Sequence, residues 1–159
     1  MKSDAEKTNV MRLLDAKKIP YTARYYHDTA ETDGMLIAQR LNEDPQRCFK
    51  TLVTVGKSGR NYVFMIPVCH ELDLKKAANS VNEKSIEMIK SKELLPLTGY
   101  IHGGCSPIGM KKPLLTVIND TASSYETIYF SAGKIGYQVE LSLSDLGKII
   151  KYKLSSLTV

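Results

Sequence analysis

Apolar positions along the chain follow two spacings, one helical and one alternating, and their order predicts the elements. Val10, Met11, Leu13 and Leu14 form a stripe behind Ser3-Asp4-Ala5-Glu6, a capping-box pattern, and predict a first helix over 4–17. Ile19-Pro20 ends it, and "YTARYY" (21–26) reads as a strand. Thr32 is placed to cap a second helix with Met35, Ala38 and Leu41 on one face, closed by 42–45. "CFKTLVTV" (48–55) and "YVFMIPV" (62–68) are strands joined through "GKSGR" (56–60), a hairpin turn. Helical segments are expected at "DLKKAANS" (73–80) and "EKSIEMIK" (83–90), with one further turn at "SKELLPL" (91–97). "LLTVIN" (114–119), "ETIYFSA" (126–132) and "YQVELS" (137–142) predict three more strands, and Ser142 and Asp145 cap a helix over 144–151. Strands dominate the centre and helices the periphery. The expectation is an α+β (mixed α/β) fold, one domain over 1–159, with a central mixed, largely antiparallel sheet or a partial barrel.

Composition changes this picture little. The 159 residues are 43% hydrophobic and 25% charged, ordinary for a globular domain, with no repeat or low-complexity tract. No apolar run reaches the roughly 20 residues of a membrane span, and 1–14 lacks the apolar core of a signal peptide. Three cysteines, an odd number at irregular spacing, suit reduced thiols and a cytoplasmic setting. The net charge of +5 mildly favours an anionic partner such as a nucleic acid, against a merely solvated basic surface.

Candidate chemistry concentrates in "TGYIHGGCSPIGMKK" (98–112). Gly104 and Gly109 have the glycine spacing of a phosphate loop, but Met110 precedes Lys111, no hydroxyl follows, and a strand opens where a helix is required. His102 and Cys105 with Cys69-His70 make a poor tetrahedral zinc set, so no metal is expected. Cys105 as a nucleophile needs a nearby base and a lowered pKa, and a buried packing thiol is the commoner reading. The Gly103-Gly104 backbone remains, either as donors approaching a ligand closely or as a tight turn. Lys50 interrupts an otherwise apolar strand, which fits either a polar pocket or an edge position. "SAGKIG" (131–136) is a second small-residue loop; its GKIG matches the RNA-binding KH loop in letters, but strands flank it where that loop joins helices.

Together "FKTL" (49–52), "TGYIHGGCSPIG" (98–109) and "ETIYFSAGKIGYQVELSLSDL" (126–146) resemble the signatures of YbaK-type aminoacyl-tRNA deacylases, relatives of the editing domain of bacterial prolyl-tRNA synthetase. The likeness extends to "VMRLLDAKKIPY" (10–21) and "LDLKKAA" (72–78). It implies a mixed-sheet α/β domain that needs no metal or organic cofactor. On this sequence the resemblance places the functional lysine at Lys50, with Gly103 and Gly104 in the catalytic loop and Tyr26, Thr51, Ser131 and Gln138 in the substrate pocket. Three local features depart from the family pattern: Cys105 replaces an aliphatic residue, Tyr25-Tyr26-His27-Asp28 differs, and Gln138 stands where some members are acidic.

The resemblance implies trans-editing of mischarged Cys-tRNA(Pro), extending to Cys-tRNA(Cys), with prolyl-tRNA synthetase as a transient partner. The substrate's own thiol would attack the ester, and the protein would position it and stabilise the oxyanion. Two alternatives stay open on sequence alone: an Ala-tRNA(Pro) deacylase, and a non-catalytic module binding tRNA or the synthetase.

Overall fold

A computed structural model describes residues 6–159. Helix α1 (Asn9–Ala16) is capped by Thr8, whose hydroxyl accepts from Met11 N–H at 3.3 Å. The Ser3 end of the expected capping box lies outside the described residues. Strand β1 (Thr22–Tyr25) follows, then α2 (Gly34–Arg40), capped by Asp33 instead of Thr32. The Asp33 carboxylate accepts from both Met35 and Leu36 N–H, which a threonine hydroxyl does less well.

Strands β2 (Phe49–Gly56) and β3 (Asn61–Pro67) form the expected hairpin, and α3 (Leu74–Ser80) follows behind an Asp73 cap. The segment 83–90 is not helical: its centre is the short strand β4 (Ile86–Met88), antiparallel to Thr54–Gly56 of β2. Pairing at a sheet edge overrides the helix-forming composition there. Helix α4 (Ser91–Thr98), β5 (Leu115–Asn119), the 3-10 turn Asp120–Ser124, β6 (Ile128–Ser131) and β7 (Tyr137–Leu141) complete the middle of the chain. The last helix, α5 (Leu143–Leu146), is shorter than the expected 144–151, and β8 (Tyr152–Ser155) was not foreseen. Ser142 does cap α5, accepting from Asp145 N–H at 3.1 Å.

The mixed, largely antiparallel character is present, but the strands divide into two sheets. One is antiparallel in the order β1-β7-β6; the other runs β4-β2-β3-β5-β8, with β5 parallel to both its neighbours. A parallel bridge between Cys48 and Tyr129 joins them where β2 begins beside β6. Alternation explains the packing. Phe49 and Val53 of β2 and Val63 and Met65 of β3 share the main core with Phe130, Val139 and the α1 stripe. Leu52, Phe64 and Ile66 point the other way, onto Ala77 and Ala78 of α3 and Leu157. No helix among the described residues is long and apolar enough to cross a membrane.

Candidate functional site

A cavity of about 320 Å³ opens at the seam between the two sheets. Five segments wall it: the first half of β2, the end of β6 with Gln138 of β7, the stretch from β4 into α4, the turn at Gly103, and the region from Thr32 into α2. Phe49, Val53, Leu94 and Phe130 make most of it apolar, and a few polar groups converge on that surface, as in small-molecule sites generally.

The β2 wall follows from hydrogen-bond parity. Val68 N–H donates to the Cys48 carbonyl and Gly56 N–H to the Arg60 carbonyl, both at 2.8 Å. Even-numbered residues of β2 therefore direct their main-chain groups at β3, and odd-numbered ones at the opposite edge. On that edge β4 covers only Thr54–Gly56, and Ile89 N–H reaches the Val53 carbonyl at 3.3 Å. The main chain of Thr51 is left along the cavity without a strand neighbour. The Thr51 hydroxyl is buried there with no hydrogen-bond partner. Lys50 also lines the cavity; it is half-buried, and among the described residues no carboxylate stands within ion-pair distance of it. Lys50 thus resolves the two sequence readings together: its strand is internal to the sheet, yet locally has an open edge.

The opposite wall is a tight turn. Gly104 N–H donates to the Ile101 carbonyl at 3.0 Å, and Gly103 between them has φ +88°, the geometry of a type II turn at its third residue. A Cβ on Gly103 would stand 2.5 Å from Thr32 Cγ2, so the turn closes directly on the segment entering α2. Tyr100 anchors the loop by donating its hydroxyl to the Ile108 carbonyl. Among the described residues the Gly103 N–H has no acceptor, whereas the Gly104 N–H is already committed. Gly104 does not line the cavity, so the two glycines expected to act as a pair differ: one is at the wall, the other shapes the turn behind it.

Tyr26, Ser131 and Gln138 line the same cavity. Burial, reinforced by the charge of Glu43, raises the Tyr26 hydroxyl pKa and keeps it a donor at neutral pH. Ser131 Oγ accepts from Gly133 N–H at 3.1 Å, which fixes the hydroxyl at the mouth of the loop. Cys105 is a cavity residue too, but burial pushes its thiol up to about 12, so it is protonated and a poor nucleophile at neutral pH. Cys48 is raised further by burial and by Glu43, to which its thiol donates at 3.2 Å. Among the described residues no three metal-ligating side chains cluster.

Six of the seven site residues named from the sequence therefore meet in one cavity: Lys50, Thr51, Gly103, Tyr26, Ser131 and Gln138. The wall from Met88 to Leu94 carried no signal, because its segment reads as helix. Thr32 and Ile37 carried none beyond their place around a helix start.

This arrangement, a largely apolar pocket with the lysines Lys50 and Lys90 in its wall and main-chain groups at its edge, is of a kind that holds a small acyl group attached to an anionic carrier. Residues 35–149 match the aminoacyl-tRNA editing domain family, and the chain belongs to it. A protein of Enterococcus faecalis (strain ATCC 700802 / V583), named provisionally as the Cys-tRNA(Pro)/Cys-tRNA(Cys) deacylase EbsC, is 44% identical over 146 residues, covering 89% of this chain and 87% of its own. Among solved structures, one described provisionally as a trans-editing enzyme for prolyl-tRNA synthetase superposes with a TM-score of 0.81 at 21% identity, covering 98% of this chain and 99% of its own. The hypothetical protein APE2540 superposes equally well, 0.81 at 18% identity, over 92% and 97%. Both share the fold.

Proposed function

We propose that the protein is a trans-editing deacylase that hydrolyses mischarged Cys-tRNA(Pro), and Cys-tRNA(Cys) as well. The observation that carries this is the convergence of Lys50, the Gly103 N–H and the open edge at Thr51 on one small apolar cavity. Its support is the 44% identity to a relative bearing that provisional name. In this reading the apolar walls hold the cysteinyl side chain, and Lys50 neutralises the terminal phosphate–ribose of the tRNA. The cysteinyl sulfur attacks its own ester carbonyl. A carbon–sulfur bond forms, the ester carbon–oxygen bond breaks, and the thiol proton leaves with the ribose 3′-oxygen. Water then opens the cyclic thioester to free cysteine. The protein holds the reacting atoms in line and meets the developing oxyanion with the Gly103 N–H. Gly104 has no place as a donor, since its N–H is engaged with Ile101.

A transient complex with prolyl-tRNA synthetase belongs to the same proposal, because a pocket for one amino acid cannot by itself choose between tRNAs carrying it. The test is deacylation of Cys, Ala and Pro esters on tRNA(Pro) and of Cys-tRNA(Cys), with and without the synthetase. Rapid loss of the Cys esters alone, faster on tRNA(Pro) when the synthetase is present, is the expected result. Equal turnover of Ala-tRNA(Pro) would overturn the thiol-assisted mechanism, and binding without turnover would overturn the enzymatic reading.

A further inference from the structure

Four strands of the larger sheet start at one of its rims. β3 and β4 are both antiparallel to β2, and β5 and β8 run parallel to β3. The N-terminal ends of β4, β3, β5 and β8 therefore lie together, beside the C-terminal end of β2. Each is entered through exposed cations. Lys84 precedes β4, Lys57 and Arg60 occupy the β2–β3 turn, Lys111 and Lys112 precede β5, and Lys148 and Lys151 precede β8. Lys57 N–H donates to the Ser85 carbonyl at 3.1 Å, which ties two of these segments directly. The sheet order β4-β2-β3-β5-β8 spreads the row over four strand spacings, about 19 Å.

These seven cations stand against three carboxylates, Glu83, Glu87 and Asp145, an excess of four in a chain whose net charge is +5. Among the described residues only Lys148 of the seven has an ion-pair partner, Asp145 at 2.8 Å. The opposite rim, where β3 and β5 end, has no such excess: Asp44, Glu71, Asp73 and Asp120 stand beside Arg47, Lys75 and Lys76.

A basic track joins the rim to the cavity. Lys90, ahead of α4, lines the cavity with Lys50, and Lys92 is exposed in the first turn of that helix. At the far end Gly99 caps α4. A Cβ on it would stand 3.5 Å from the Lys111 side chain, and Lys111 N–H donates to the Thr98 carbonyl at 3.1 Å. The eight residues of α4 span about 12 Å, so the rim begins one short helix away from the cavity wall.

The side chains present select the partner. Unpaired bases are held on exposed aromatic faces. The aromatics of this rim, Tyr62 and Tyr152, are buried and half-buried, with their hydroxyls turned to Glu83 and the Leu143 carbonyl. Protein interfaces are depleted in lysine, and six of the seven cations here are lysines. A row of point charges with nothing to read a base fits the phosphates of a double helix.

We propose that this rim holds the phosphate backbone of the acceptor stem of the tRNA whose aminoacyl end enters the cavity. The proposal rests on the deacylase reading and adds the surface that carries the rest of the substrate. Contacts to phosphate position an RNA without reading its sequence, which agrees with the choice between tRNAs falling to the synthetase.

The test compares Lys112→Gln/Lys151→Gln, on this rim, with Lys75→Gln/Lys76→Gln on the opposite one. Deacylation is measured on Cys-tRNA(Pro) and on a cysteinyl-CCA trinucleotide, which lacks the stem. The rim pair should lose about tenfold or more in kcat/KM on the tRNA and nothing on the trinucleotide. Its dependence of log KM on log salt should flatten by about two, one for each phosphate contact removed. The opposite pair should behave as wild type on both substrates. Equal losses on tRNA and trinucleotide, or no loss on either, would overturn the proposal, and so would an equal loss in the opposite pair, which would reduce the effect to net charge. A loss seen only with prolyl-tRNA synthetase present would assign the rim to that protein and overturn the RNA reading. Binding of uncharged tRNA(Pro), followed by fluorescence anisotropy, separates the two levels. If the rim pair weakened that binding while the wild type left Cys-tRNA(Pro) uncleaved, the deacylase reading would fall and the RNA surface would stand.

Discussion

The two halves of β2 teach different things about one strand. Over Thr54–Gly56 every group is met. Thr54 Oγ1 donates to the Tyr62 carbonyl at 3.0 Å, β4 covers the edge, and Glu83 accepts from Ser58 and from the Tyr62 hydroxyl at 2.6 Å. Between Phe49 and Val53 the edge is bare at Thr51, the Thr51 hydroxyl is unpartnered and, among the described residues, no carboxylate pairs with Lys50. The satisfied half stabilises the fold. The unsatisfied half is stable only because the rest of the sheet holds it, and its unmet groups are what a ligand can use.

That contrast can be broken by substitution, and the largest effect is expected at Lys50. Lys50→Ala should lower Cys-tRNA(Pro) deacylation by about a hundredfold or more, the scale of losing a preorganised electrostatic group, without lowering the thermal midpoint. Full activity in single-turnover assays would remove Lys50 from the site. Gly103→Ala comes next. A Cβ there meets φ +88° and Thr32 Cγ2, so the turn must shift and carry its N–H away. A displacement near 1 Å in a positioning element costs on the order of a hundredfold or less, measurable as a fall in kcat at near-normal helicity.

The two threonines give the sharpest comparison. Thr54→Val should cost about 1 kcal/mol, a drop of roughly 2–4 °C in the thermal midpoint, with activity kept. Thr51→Val should do the reverse: a midpoint unchanged or raised, with reduced deacylation. If both threonines behaved alike, the division of the strand would be wrong. The smallest effect concerns pH. Hydrogen bonds from Ser58 first, and then Tyr62, hold the Glu83 carboxyl below the ordinary 4.5. A group lowered on folding stabilises above its unfolded pKa, and that contribution fades as pH falls through the folded value. The stability gap between wild type and Glu83→Gln should therefore be constant near neutrality and close on acidification, as chemical denaturation across that range would show.

Much of the architecture was legible because the central strands are long or continuously apolar. "CFKTLVTV" and "YVFMIPV" alternate between two real cores, and Asp73 and Ser142 cap helices by ordinary chemistry. The failures share a cause. β4 has three residues with Glu87 and Met88 exposed, too few to display a period, and partner-strand pairing alone makes it a strand. β8 has only four residues, and its parallel pairing with β5 leaves no hairpin signal. In the site, Lys50 stood out as a charge in an apolar run, and Gly103 as part of a paired glycine. Glu43 did not: in "LNEDP" it reads as a helix-ending polar residue, and only the folded chain shows its side chain buried and accepting from the Cys48 thiol.

The bare edge of β2 also bears on how the protein avoids its own kind. Unpaired strand edges invite another chain to add on and propagate a sheet. Here the exposed ladder is one odd-numbered step long between Phe49 and Val53, and it lies recessed within walls formed by the Gly103 turn and the stretch entering α4. A polypeptide needs several consecutive rungs and a clear approach along the sheet plane, and neither is offered. A compact acyl group needs one rung and an opening of its own width. The same truncation of β4 that makes room for a substrate leaves too little ladder for aggregation.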